Sequence, residues 1–563
     1  MRRSRTLLRF RFYAVGVFSA AFPVLTSGTR LASGLFLWLA AASTGLGAAP
    51  SIDSITATRV PNRGETKLIL NGDDLNTATA LWTSFGVSGL VAERNQKRAI
   101  FRFTNGFPVG VLAARVFGSN GVSELQPFLL DDLSEVMASE TNRSRSSAGN
   151  VEVGTTVTGS CDVLGIDWFK LHLVNKQQVS LEIVASRLGS KLDSVLRVTD
   201  ASGRQIARND DAAGLSGDSF IRFEPTKGGD YFVELRDVNY GGGKGFFYRL
   251  RVGDYPLATT AFPLAAEEGT ERTFELAGPA GGAGSVRTFV PNSGAVPLVS
   301  AGRIGSTFAK AFGAQKHEVV EREPNDDVTR ATQIEVTDEI NGRFDTANDR
   351  DCYQFTAHKG ERIEFRAATR SLGSPCDVIL ELQSADRTQL ARSNPSSADE
   401  GVVAQLYSSN GLYCLIVSEA TGAFGPNCVY RITTRRAAGF GLTVDRDRVN
   451  VAGGQTFDLN VICDRGEYKG PVTLITEGIA GLTVTNNTVA AGKTNVTIRV
   501  TASASLKPAV PRLFRIVGTA RRDDAEVRVQ ASTGPALRRI FPQLLYPPEE
   551  LNGWIALGVM AAP

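Results

Sequence analysis

The chain has 563 residues and a formal net charge of +3, with 42% hydrophobic and 21% charged residues. That length predicts three to five domains, and the composition excludes a disordered chain. A charge this close to neutral, with no basic stripe interleaved with aromatics, excludes nucleic acid as a partner.

The N-terminus opens on MRRSRTLLRFRF and runs through apolar tracts to LASGLFLWLAAASTGLGAAP. The tract Leu31–Leu46 has the length of a signal-peptide apolar core and is followed by Gly47, Ala48 and Ala49. It is short for a span, which needs about 20 apolar residues. Residues 1–48 are therefore read as an export signal, with an uncleaved anchor as the alternative. No membrane span is expected after cleavage. The expected location is secreted, extracellular or at the cell surface, with the periplasm also open.

Residues 49–130 begin with a short strand, a turn and the alternating TKLILNG. With Gly64, Gly72 and Leu75, this opening resembles a TIG-type immunoglobulin-like module; another small β-sandwich fits equally well. Next comes an internal repeat. GIDWFKL at 165–171 matches DRDCYQF at 349–355, and SRLGSKLDSVLRVTDASGRQIAR matches RSLGSPCDVILELQSADRTQLAR. The spacing is 184 residues at Leu188/Leu372, Asp193/Asp377 and Arg208/Arg392, and 182 at Tyr231/Tyr413 and Tyr248/Tyr430. Two copies of one unit are predicted, over 131–255 and 317–437.

Within each copy, Val179, Leu181 and Ile183, or Ile363, Phe365 and Ala367, or Tyr413, Leu415 and Val417, are spaced to share one face of their run. Period-two runs between turns predict half-buried antiparallel strands. The tyrosines in these runs are read as core. The acidic loop NDDAAGLSGDS at 209–219 is read as a solvated turn. Residues 256–316 form a β-rich connector whose AGPAGGAGS is read as a glycine-rich turn or flexible stretch. Residues 438–535 predict an immunoglobulin-like β-sandwich, and 536–563 an irregular tail. The fold class is all-β: tandem β-sandwich or jelly-roll domains.

Six cysteines occur, four of them at Cys352, Cys376, Cys414 and Cys428. Export makes disulfides among these four plausible, with three pairings open. The absence of CxxC spacing argues against zinc. The three histidines, His172, His317 and His358, stand beside no recognisable nucleophile or metal-ligand pattern. No subtilase-type Asp/His/Ser set, HExxH or GxSxG is found. The chain is therefore expected not to be an enzyme, although a site built from carboxylates or lysine stays open.

The sharpest chemical feature is EREPNDD at 321–327. Pro324 pushes Glu323 toward extended backbone, so Glu321, Glu323 and Asn325 share a face, with Asp326 and Asp327 at the next turn. Like charges this close repel unless a cation sits among them, and calcium takes six to eight oxygens from flexible loops. DTANDRD adds Asp349 and Asp351 nearby. A plainer reading also fits: Asn325 or Asp326 caps a short helical turn over DVTRAT, and the glutamates are solvated linker charges.

EREPND, INGRFDTANDRDCYQF, GLYCLIV and CVYRI in the second copy resemble the bacterial pre-peptidase C-terminal (PPC) domain, a secreted β-sandwich. The resemblance implies calcium at Glu321, Glu323, Asn325, Asp326, Asp349 and Asp351. The first copy departs at this motif: SETNRSR keeps Glu140 and Asn142 but lacks the proline and aspartates, so no calcium is expected there. The expected function is a secreted, non-catalytic binding or spacer module for an extracellular protein or polysaccharide, calcium-stabilised if the cluster binds. The alternative is an accessory or degenerate member of a secreted peptidase system.

Overall fold

The computed structural model describes residues 47–60, 65–84, 89–104, 109–292, 295–298, 309–393, 400–437, 439–466, 468–522, 525–543 and 551–561. The segment read as an export signal lies outside them apart from Gly47 and Ala48. Among the described residues the structure is all-β, with one α-helix at Gly534–Ile540, and none of their helices is long and apolar enough to cross a membrane. The alternating runs became strands for the expected reason. Val179, Leu181, Ile183, Ile363, Phe365, Ala367, Tyr413, Leu415 and Val417 are all buried, because a pleated strand turns every second side chain to one face.

Both copies of the repeat adopt one topology. In the first, one sheet runs in spatial order Gly149–Asn150, Asp167–Leu173, Gly229–Asp237, Ser194–Asp200, Gln205–Asn209. The other runs Phe220–Phe223, Val179–Val184, Phe247–Gly253, Thr155–Ser160, Ser134–Met137. The second copy matches strand for strand. Its sheets run Thr332–Gln333, Arg350–Ala357, Gly411–Glu419, Val378–Ser384, Gln389–Arg392, and Val402–Leu406, Arg362–Ala368, Val429–Arg436, Glu339–Arg343, Glu318–Val320. In both copies a short first strand pairs parallel at one edge of each sheet while the other pairings are antiparallel.

Each sandwich closes on its own apolar cluster, one containing Phe169, Leu181, Val233 and Tyr248, the other Phe355, Ile363, Leu415 and Tyr430. In each a tyrosine packs closely against a glycine. A Cβ added at Gly159 would fall 2.3 Å from Tyr248 Oη, and one at Gly342 would fall 2.1 Å from the Tyr430 ring.

Three expectations need correction. The loop at 209–219 is not wholly solvated: Asp218 is buried and accepts from Ser186 N at 2.7 Å and Arg187 Nε at 2.7 Å. It ends a chain of alternating charges. Arg187 also bonds Glu182 at 2.9 Å, Glu182 pairs with the fully buried Arg251, and Arg251 Nε bonds Asp131 at 2.8 Å. Paired in this way, the charges cover the outer face of Val179–Val184, which is buried on both sides.

The glycine-rich stretch of the connector is mostly strand. Glu271–Gly278 and Gly281–Phe289 form a hairpin in one three-stranded sheet, and Ala265–Glu267, Lys310–Ala314 and Ala295–Pro297 form another, around Phe274, Leu276 and Val290. Glycine suits this hairpin because Gly281 and Gly284 sit at positive φ, 93° and 99°.

The described part of the tail is not irregular. Ile555–Met560 lies inside a sheet, parallel to Arg448–Ala452 and antiparallel to Leu513–Arg522. An apolar run without alternation, such as IALGVM, belongs to a strand covered on both faces, and Leu557 is fully buried. Leu557→Ala should therefore cost about 2–4 kcal/mol in chemical denaturation; an unchanged midpoint would contradict a central strand.

Candidate metal centre

The site sits where the second copy begins. The strand Glu318–Val320 runs parallel to Glu339–Arg343, and the pairing continues one residue further, with Glu321 N donating to Asn341 O at 3.0 Å. This registers Glu321 over the sandwich mouth. Four residues on, Cys352 N donates to Asn325 O at 3.0 Å, which ties the same segment to the other sheet. Asp351, the second residue of Arg350–Ala357, is thereby brought under the incoming segment.

Glu321, Glu323 and Asp351 each offer an oxygen within 4.8 Å of the others. Asp351 is fully buried, Glu321 half-buried and Glu323 exposed. The buried Asn325 side chain lies 3.2 Å from both Asp351 Oδ1 and Glu323 Oε1. With its NH2 turned inward it donates to both carboxylates; with its carbonyl turned inward it adds a fourth oxygen to the cluster. A cation decides for the second orientation, its absence for the first. Two tyrosines floor the site. Tyr353 Oη donates to Glu321 Oε2 at 3.0 Å, Tyr430 Oη donates to Asp351, and the two hydroxyls are 2.8 Å apart.

The other predicted ligands are placed differently. Asp349 is buried but spends its oxygens on its own loop, accepting from Asp345 N at 2.6 Å, Thr346 N at 3.2 Å and Arg350 N at 3.0 Å. Asp326 is exposed. The helical-turn reading is met in part and by a different residue: 327–330 form a turn, and Asp327 caps it, accepting from Thr329 N at 2.8 Å and pairing with Arg330 at 3.1 Å.

The electrostatics follow from burial among like charges. Burial pushes the Glu321 carboxyl up to about 8, against hydrogen bonds from Arg343 N, Tyr353 and Tyr430. Burial first, then the neighbouring Glu321 charge, pushes Asp351 up to about 10. Glu323 is also held above its usual range, by burial and by the charges of Asp349 and Asp326.

The first copy answers the same problem with its own side chain. Asp167 occupies the place of Asp351, buried and bonded by Tyr248 as Asp351 is by Tyr430. Trp168 N donates to Asn142 O at 2.8 Å, the counterpart of the Cys352–Asn325 bond. The residue after Asn142 is Arg143, and its guanidinium pairs with Asp167 and, at 2.8 Å, with Asp162. Where the first copy carries a cationic side chain, the second gathers carboxylates. Sequence reading missed Arg143, although its position directly after the shared asparagine was the available signal.

No known protein family and no curated protein matches the chain. Among solved structures, the M60 catalytic domain with CBM51 domains of Clostridium perfringens ZmpB aligns at TM-score 0.13 and 9% identity, covering 68% of this chain and 54% of that one. The chain thus spans about half the length of that protein. The D0-D1 domain of intimin aligns at 0.14 and 15% identity over 31% of this chain and 91% of that one. The mixed-linkage glucan utilisation protein SGBP-B of Bacteroides ovatus aligns at 0.12 and 10% identity over 68% and 75%. At these scores the likenesses assign neither a family nor a ligand to this chain.

Two predictions follow from the geometry. Arg143→Ala leaves Asp167 buried without its cation and should destabilise the first copy by about 3 kcal/mol in chemical denaturation, with Arg143→Lys milder. The second concerns pH. Glu321 and Asp351 have folded-state pKa values above those of free carboxyls, so their protonation stabilises the fold fully below about pH 4. That stabilisation is lost as pH rises through their folded values. With chelator present, hydrogen exchange in Arg350–Ala357 should accelerate from pH 5 to 8 beyond the intrinsic amide rate, by up to roughly 1.4 kcal/mol per pH unit for each titrating group. Asp351→Asn should flatten the trend.

Proposed function

We propose that this chain is an exported, non-catalytic assembly of β-modules acting as a binding and spacer protein outside the cell or on its surface. Its second repeat, in keeping with the PPC resemblance, would hold calcium through Glu321, Glu323, Asp351 and the Asn325 carbonyl. The observation carrying this reading is the contrast between the repeats: a buried aspartate met by Arg143 in one and by two glutamates in the other. The donor set is all oxygen and suits a hard cation, whereas nitrogen and sulfur donors would be needed for a structural zinc.

When bound, calcium would take the place of the protons that burial and mutual repulsion otherwise hold on Glu321 and Asp351. The chain's own part is to hold the segment 321–325 across both sheets, through the Glu321–Asn341 and Cys352–Asn325 bonds. Rigid attachment at this point suits a spacer, because it fixes where the second sandwich starts relative to the strands before it. Partner recognition, of an extracellular protein or polysaccharide, is assigned to sandwich loops and sheet edges, where backbone groups and variable side chains are presented.

The test is thermal unfolding of the full chain with calcium and with chelator at pH 7.5. Calcium at about a hundred times its dissociation constant should add about 2.7 kcal/mol to the unit that binds it, visible as a shifted transition that Asp351→Asn abolishes. A melting profile indifferent to calcium would remove the metal from this reading.

A further inference from the structure

We infer that the four cysteines of the second repeat form two disulfides, Cys352–Cys414 and Cys376–Cys428. Strand register and side-chain placement favour these two pairs, independently of any cation. Cys352 lies on Arg350–Ala357 and Cys414 on the neighbouring Gly411–Glu419. Register sets Cys352 opposite Ile416 and Gln354 opposite Cys414, so the two cysteines are diagonal neighbours on one face. With Ile416 they form a small buried cluster of their own, covered by Val328 and Ala331.

The second pair belongs to the sandwich core. Cys376 directly precedes Asp377 and the strand Val378–Ser384, and Cys428 directly precedes Val429–Arg436. Ser374 Oγ holds the two segments together, accepting from Val429 N at 3.2 Å and Cys376 N at 3.4 Å. Both cysteines are buried there. Because one pair faces out of the sandwich and the other faces into it, the two alternative pairings would each have to pass through a sheet.

The first repeat supplies an internal control. By the repeat's own spacing, the counterparts of Cys352 and Cys414 are Trp168 and Phe232, and those of Cys376 and Cys428 are Leu192 and Phe246. Each position is apolar there, and both members of each pair change together. A single buried cysteine serves as a small hydrophobe; two pairs replaced in step on one scaffold are what a covalent link requires.

Each bond forms when two thiols give up two protons and two electrons to the disulfide of an oxidant, such as oxidised glutathione, which leaves as two thiols. Both links close long loops and so constrain the unfolded chain. The full chain, folded under reducing conditions and then exposed to oxidised glutathione, is blocked with an alkylating agent. It is then digested without reduction by trypsin and a glutamate-specific protease, and mapped by mass spectrometry. The expected linked peptides are 351–359 with 401–419, and 371–381 with 420–431, with Cys161 and Cys463 alkylated. Any other linkage among the four, or four alkylated cysteines, would overturn the inference. In the Cys376→Ser/Cys428→Ser variant the first link should persist, and its loss from a folded variant would count against independent pairs; should the variant fail to fold, the map of the unaltered chain decides.

Discussion

A carboxylate buried under a tyrosine hydroxyl has to find either a proton or a cation, and each repeat of this protein is built over one. The β-sandwich makes the demand itself. The strand next to its edge brings an aspartate under the incoming segment, and a tyrosine from the neighbouring sheet, packed against a glycine, closes the floor. Removing an ion from water costs several kcal/mol unless it is paired, so the residue that enters opposite decides what the site becomes. In the first repeat Arg143 enters and the charge is settled within the chain. In the second Glu321 and Glu323 enter, and the sum of charges is unfavourable until a proton or a metal arrives.

The duplication makes such comparisons possible inside one molecule. Sheet order, parallel edge strands, the glycine under the tyrosine and the backbone bond from the strand to the asparagine are shared. Among the differences are the cation at the mouth, the charged cover of Val179–Val184, and two pairs of side chains that are apolar in one repeat and cysteine in the other. Shared features describe what the sandwich needs in order to fold. The differences mark where the two units have separate tasks.

Much of the fold was legible because strand periodicity is a local signal, and the repeat because its spacing persists across a single small deletion. The convergence of Glu321, Glu323 and Asp351 was legible from charge density around Pro324. The separate placement of Asp326 and Asp349 was not, since which oxygens a loop spends on its own amides depends on turn geometry. Asp218 looked solvated because its partner Arg187 lies 31 residues away in sequence. The strand Ile555–Met560 was hidden for a different reason. A short apolar run covered on both faces has no alternation, and its partners Arg448–Ala452 lie about a hundred residues earlier. Arg143 was in plain view, but its meaning depends on knowing that Asn142 and Asn325 occupy the same place.

The central claim is that the second repeat is shaped for a cation and the first is not. Tyr353 and Tyr430 lie against the cluster, so terbium, which substitutes for calcium at oxygen sites, offers a direct reading through tyrosine-sensitised luminescence. The account predicts emission from the full chain that calcium displaces, that Asp351→Asn removes and that Asp167→Asn leaves in place. Absence of sensitised emission, or emission indifferent to Asp351→Asn, would contradict it.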